Sequence, residues 1–177
     1  MKPLSLTLKN FGPYINETID FTKFEDSSLF LISGKTGSGK TTIFDGMSYA
    51  LFGESSGKLR LGKEMRSTFA DPSEATEVTL LFKHNEYLYE LNRLPEQELF
   101  KKRGTGVRKQ SAKISLIVKD AQGKELRAYS KRREVDELIQ ELLHLNANQF
   151  AQIVLLPQGE FRTFLIAKSE IGRASCR

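Results

Sequence analysis

The chain has 177 residues, 39% of them hydrophobic and 28% charged, with a formal net charge of +5. That is enough for one sizeable core and too little for two large domains, and no run approaches the roughly 20 apolar residues of a membrane-spanning helix. A single cysteine, Cys176, excludes an internal disulfide, and the alternating start MKPLSLTLKNFGPY lacks a secretory apolar region, so a cytoplasmic protein is expected, neither secreted nor built on a zinc ribbon.

Leu4, Leu6 and Leu8 alternate with Ser5, Thr7 and Lys9, which predicts a half-buried strand. Gly12-Pro13 breaks it, and Ile19 and Phe21 suggest a second short strand. Ser28–Ser33 is a continuous apolar run at the length of a fully buried strand. A glycine-rich loop follows, then a helix over Lys40–Phe52 with Ile43, Met47, Ala50 and Leu51 on one face. Gly53–Ser73 reads as a polar loop. Val78, Leu80 and Phe82, then Tyr87, Tyr89 and Leu91, predict a hairpin turning near His84-Asn85. Ile114, Leu116 and Val118 predict another strand, and Asp120–Gly123 a turn toward Leu126. Val135, Leu138, Ile139 and Leu142 follow helical spacing within Arg132–Leu143, and Asn146 caps a short segment ending at Pro157.

The last residues, Ile171 to Arg177 (IGRASCR), resemble one translated frame of a common sequencing adapter. Residues 170–177 are therefore expected to be a non-biological tail, and 1–169 the domain. Removing Arg173 and Arg177 lowers Lys+Arg from 27 to 25 and the net charge from +5 to +3.

Gly34-Lys35-Thr36-Gly37-Ser38-Gly39-Lys40-Thr41 fits G-x-x-x-x-G-K-[ST] at every fixed position. Chance yields about 0.006 such matches in a chain of this length, and a strand before and a helix after are the context the motif requires. Glycines let the backbone curl so that several N–H groups meet phosphate oxygens together, and the helix start adds partial positive charge. Lys40 suits the β- and γ-phosphates, Thr41 is a hard oxygen ligand for Mg²⁺, and Thr42 is placed for the α-phosphate. The motif alone leaves kinases, GTPases, helicases and ABC-type ATPases open. Two strands before the P-loop strand and a β-rich block after its helix favour an ABC-type head.

LKNFGPY, GKTGSGKTTIFDGMSYALFG, MRSTFA and NQFAQIVLLPQGEFRTFL resemble the SbcC family, the SMC-like ATPase subunits of bacterial SbcCD nucleases. The resemblance runs from residue 1 to about Lys168 and is weakest between Pro95 and Ala112. It implies an α/β fold: the N-terminal lobe of an ABC-type P-loop ATPase head with a mixed sheet, an antiparallel β subdomain and, at Phe161–Lys168, the foot of a coiled-coil helix. It implies ATP and Mg²⁺ as cofactors, and it makes Gln158 the Q-loop glutamine, which helps hold Mg²⁺ and acts in catalysis with Lys40. Asn10 and Phe11 would lie near the nucleotide. The implied partners are an SbcD-like nuclease subunit, a second copy of the head and double-stranded DNA in the nucleoid, with no membrane.

A Walker B Asp-Glu pair, a switch histidine and a Ser-Gly-Gly signature are missing from these residues. Leu116–Asp120 imitates a Walker B strand, but Ala121 stands where the acid belongs, so a hairpin is expected, and the chain alone should bind ATP weakly at best and hydrolyse it negligibly. His84 at a turn and His144 at a helix end make no metal site. Lys101, Lys102, Arg103, Arg108 and Lys109 gather five charges around Gly104 and Gly106, either a finger for the DNA backbone or a solvated hairpin end. Lys131, Arg132 and Arg133 open a helix against its dipole. The rival readings are another SMC-like repair ATPase head without a nuclease partner, and a small metabolite phosphotransferase.

Overall fold

The computed structural model describes residues 1–24, 31–55 and 62–151. Among these, six strands form one sheet in the order β2-β1-β3-β4-β7-β8: β1 Lys2–Phe11, β2 Tyr14–Asp20, β3 Glu77–His84, β4 Tyr87–Leu94, β7 Lys113–Lys119 and β8 Glu125–Tyr129. A separate hairpin joins β5 Gln97–Phe100 to β6 Val107–Gln110.

Period-two patterning sets the two faces of the sheet. Leu6, Leu80, Leu91 and Leu116 stand opposite one another across four strands, all fully buried. The other face carries a polar ladder: the Thr7 and Thr18 hydroxyls are 2.9 Å apart, Asn92 donates to Glu77 and Thr79, and Lys119 pairs with Glu90. One face thus meets the core and the other water.

Helix α1, Lys40–Phe52, packs against β1, β3 and β4. It has the bounds its periodicity predicts, with Ile43, Ala50 and Leu51 buried. Gly46 lets it lie close to the sheet, since a Cβ there would meet Leu8 Cδ2 at 2.6 Å. Gly53 ends it at φ 75°, its N–H donating to the Tyr49 carbonyl. Helix α2, Arg132–Leu143, packs on β7, and the single turn α3, Ala147–Phe150, on α1. Asn146 caps α3 in a reciprocal box with Gln149.

Arg93 breaks the apolar pattern. It stands in the core-facing row of Val78 and Ile114 with its side chain only 5% exposed. Its guanidinium donates to the carbonyls of Ala50 (2.6 Å) and Leu51 (3.0 Å) and pairs with Asp136 of α2 at 2.5 Å. It thereby satisfies orphan carbonyls at the end of α1 and ties both helices to β4.

The sequence expectations need correcting in several places. Every pairing among the described strands is antiparallel, so the parallel pairing of a mixed sheet is not among them. Of the strand expected at Ser28–Ser33, residues 28–30 lie outside the described residues. Leu31–Ser33 forms no strand, and Leu31 is 88% exposed. A buried strand persists only where neighbours satisfy its backbone, and among the described residues none pairs with this one. The second strand starts earlier than Ile19 suggests, because Tyr14–Asp20 follows the Gly12-Pro13 turn directly. Leu116–Asp120 does enter a hairpin, with the Asp120 N–H bonded to the Lys124 carbonyl. Lys131, Arg132 and Arg133 are offset by acids one turn on, Glu134, Asp136 and Glu137, which accounts for their place at a helix start. Gln158 and Phe161–Lys168 lie outside the described residues.

Candidate nucleotide-binding site

The phosphate loop is shaped by two glycines that alone accept its backbone without strain, Gly37 at φ 85° and Gly39 at φ 90°. Gly39 is the N-cap of α1, so the first free N–H groups of the helix open at Lys40. Lys40 folds back over the loop, its Nζ donating to the carbonyls of Gly34 (2.7 Å) and Lys35 (2.8 Å). No carboxylate among the described residues pairs with it. A full positive charge held by neutral carbonyls can exchange them for a polyphosphate.

The β1–β2 turn braces the loop from one side. A Cβ on Gly39 would strike Pro13 at 2.5 Å, and one on Gly12 would strike Thr42 at 2.5 Å. Tyr14 Oη donates to the Gly39 carbonyl at 3.1 Å, and its hydroxyl is held above the usual pKa by burial and then by Glu17. The Gly12 N–H donates to the Met65 carbonyl at 2.7 Å and the Ser67 N–H to the Asn10 carbonyl at 2.8 Å. The loop after α1 is thereby stitched to the same turn.

These parts line an open cavity of about 740 Å³, within the range of small-molecule sites. Of the sequence-predicted residues, Gly34, Thr36, Gly37, Gly39, Lys40, Thr41 and Thr42 line it. Lys35 and Ser38 form the outer turn of the loop, the Ser38 N–H donating to the Lys35 carbonyl at 3.1 Å, and are not on the cavity wall. Asn10 and Phe11 are buried beneath the site. Asn10, at φ 51°, donates to the Ala75 carbonyl, and Phe11 packs on Tyr49 with ring centroids 5.9 Å apart. They position the loops and do not line the cavity. The residues present fit a nucleotide: a concave loop, a helix N-terminus, the Lys40 ammonium and the exposed Thr41 side chain stand on one wall.

Sequence reasoning missed the rest of the lining. Gly12, Pro13, Glu64, Arg66, Thr68 and Phe69 complete the cavity, and four of these fall in the stretch read as a polar loop. MRSTFA was the available signal. Arg66 donates to the carbonyls of Asp71 (2.7 Å) and Glu74 (2.6 Å) and to Gln97 Oε1 (3.3 Å), linking this part of the lining to the β5–β6 hairpin.

The basic cluster does lie on that hairpin. Lys101, Lys102 and Arg103 belong to its tip, and Arg108 and Lys109 to β6. Two of the five are paired, Lys102 with Glu74 at 2.6 Å and Lys109 with Glu96 at 3.0 Å. Lys102 holds the Glu74 carboxyl below its ordinary pKa.

The fold and the phosphate loop define a nucleotide-binding domain of the P-loop ATPase class. The chain belongs to the AAA domain family, whose model matches residues 5–173. It is similar to proteins named as the SbcC component of the nuclease SbcCD: 48% identical over 169 residues to that of Lactococcus lactis, 47% over 169 to that of Staphylococcus aureus, and 44% over 171 to that of Vibrio cholerae. These alignments cover 93%, 96% and 96% of this chain but only 16%, 16% and 17% of the relatives. The chain therefore spans about one sixth of the length of the curated relatives it matches.

Proposed function

We propose that this chain is the ATP-binding half of an SbcC-like ATPase head, which processes DNA double-strand ends and hairpins by controlling an associated SbcD-like nuclease subunit. The observation that carries this reading is identity of 44–48% to SbcC proteins along nearly the whole chain, with the phosphate loop intact. Those relatives are named as parts of a nuclease, which favours this reading over a head without a nuclease partner.

In the proposed mechanism the loop N–H groups and the α1 N-terminus hold the phosphates, and Lys40 leaves the Gly34 and Lys35 carbonyls to neutralise them. Thr41 and Gln158 would hold Mg²⁺, which supplies charge neutralisation between phosphate oxygens. ATP bound here pairs two heads, and hydrolysis separates them. The chain lacks a Walker B acid and a signature segment, so the other half of the head must supply the acid and a second head the signature. The assembly works in the cytoplasm on nucleoid DNA. No helix among the described residues is long and apolar enough to cross a membrane. The reading keeps residues 170–177 as a tail outside the domain.

The test is equilibrium binding of Mg-ATP to the chain, with Lys40→Ala as control. Weak binding by the parent and a further loss of roughly 10- to 100-fold in the variant, with no steady turnover by either, are expected. Sustained ATP hydrolysis by the chain alone would overturn the half-site mechanism.

A further inference from the structure

The nucleotide cavity has two unlike walls. One is the phosphate loop, a set of N–H donors and the Lys40 ammonium. The other is the 64–69 loop, and on it Phe69 is 75% exposed while lining the cavity. An aromatic ring left in water beside a polar cleft lacks the burial that usually holds phenylalanine in a fold.

The backbone beneath that ring is firmly placed. Ser67 is buried, and its N–H donates to the Asn10 carbonyl at 2.8 Å. The Phe69 N–H donates to Ser67 Oγ and the Ala70 N–H to the Ser67 carbonyl, both at 3.3 Å. Arg66 bridges to Phe11 of β1. The ring is thus mounted on a loop fixed to the strand end at Gly12, and Gly12 in turn abuts Thr42.

We infer that Phe69 is the base-stacking residue of this site, giving the cavity affinity for the nucleobase in addition to the polyphosphate. This rests on the phosphate-loop reading. A nucleotide anchored by its phosphates must extend its base away from the loop, and the 64–69 segment places Phe69 in the lining of the same cavity. A phenyl ring offers no hydrogen bond, so it selects for a large π-surface: purine triphosphates over pyrimidine ones, and both over a bare polyphosphate.

The chain has no tryptophan, so Phe69→Trp introduces a single tryptophan that can be excited at wavelengths longer than those its tyrosines absorb. Its emission should be quenched by Mg-ATP and not by Mg-tripolyphosphate. In calorimetry, Phe69→Ala should weaken Mg-ATP about tenfold, the scale of one base stack, and change Mg-tripolyphosphate affinity less than about twofold. Unchanged ATP affinity in Phe69→Ala, or equal losses for both ligands, would overturn the stacking role. If the parent binds neither ligand, the phosphate-loop reading itself fails, a result distinct from both of these.

Discussion

Tyr49 shows how one side chain records the packing around the nucleotide helix. It is buried in α1 against Phe11, and that burial pushes its hydroxyl from 10.0 up to about 12, with Arg93 and Arg132 pulling the other way. A raised folded-state pKa means the contribution is fully present below pH 10 and is lost as pH rises toward about 12. Denaturant midpoints of the parent should therefore fall across that window more than those of Tyr49→Phe. The difference should be on the order of 2 kcal/mol. Parallel alkaline decline in both proteins would show that Tyr49 is not the group responsible. Lys40 is the opposite case at this scale. Its place at the start of α1 was legible from the motif, because a phosphate loop is a contiguous device whose geometry is written in neighbouring glycines.

Elements show what contiguity cannot reach. The apolar face of α1 was readable from its period, yet the closeness of α1 to β1 depends on Gly46 meeting Leu8 across residues far apart in sequence. Gly46→Ala tests that closeness. Alanine favours the helix by about 1 kcal/mol. Its Cβ would sit 2.6 Å from Leu8 Cδ2, and Leu8 is fully buried, so overpacking of about 1–3 kcal/mol opposes the gain. A net loss of stability is expected as a lower urea midpoint. A higher midpoint would mean that Leu8 moves aside within the core. Arg93 belongs to the same lesson. On sequence it is a charged residue in a strand, and only the assembled helices supply the carbonyls and the carboxylate that make its burial tolerable.

At the scale of the molecule, two features meet at the loop between the nucleotide cavity and the basic hairpin. Arg66 lines the cavity and grips the Asp71 and Glu74 carbonyls, while the Glu74 carboxylate grips Lys102 of the tip. The proposed DNA contact then falls mainly to Lys101, Arg103 and Arg108, which have no ion pair among the described residues. Replacing those three with alanine should flatten the dependence of DNA affinity on salt by about two to three units of log–log slope. Adding Lys102 and Lys109, already engaged with Glu74 and Glu96, should change it less. An unaltered slope in the triple variant would remove the hairpin from the DNA interface.

The sequence by itself determined the local devices. These are the phosphate loop, the bounds of α1 and α2, the alternation of β1, β3, β4 and β7, and the hairpin that ends the false Walker B strand. Each is set by backbone periodicity, a glycine conformation or a cap within a few residues. Tertiary structure alone decided the order β2-β1-β3-β4-β7-β8, the burial of Arg93, and the return of the 64–69 loop to the cavity that Lys40 lines. Those outcomes rest on which distant surfaces exclude water together and which distant carbonyls and carboxylates are left to be satisfied. No stretch of a few residues carries that information.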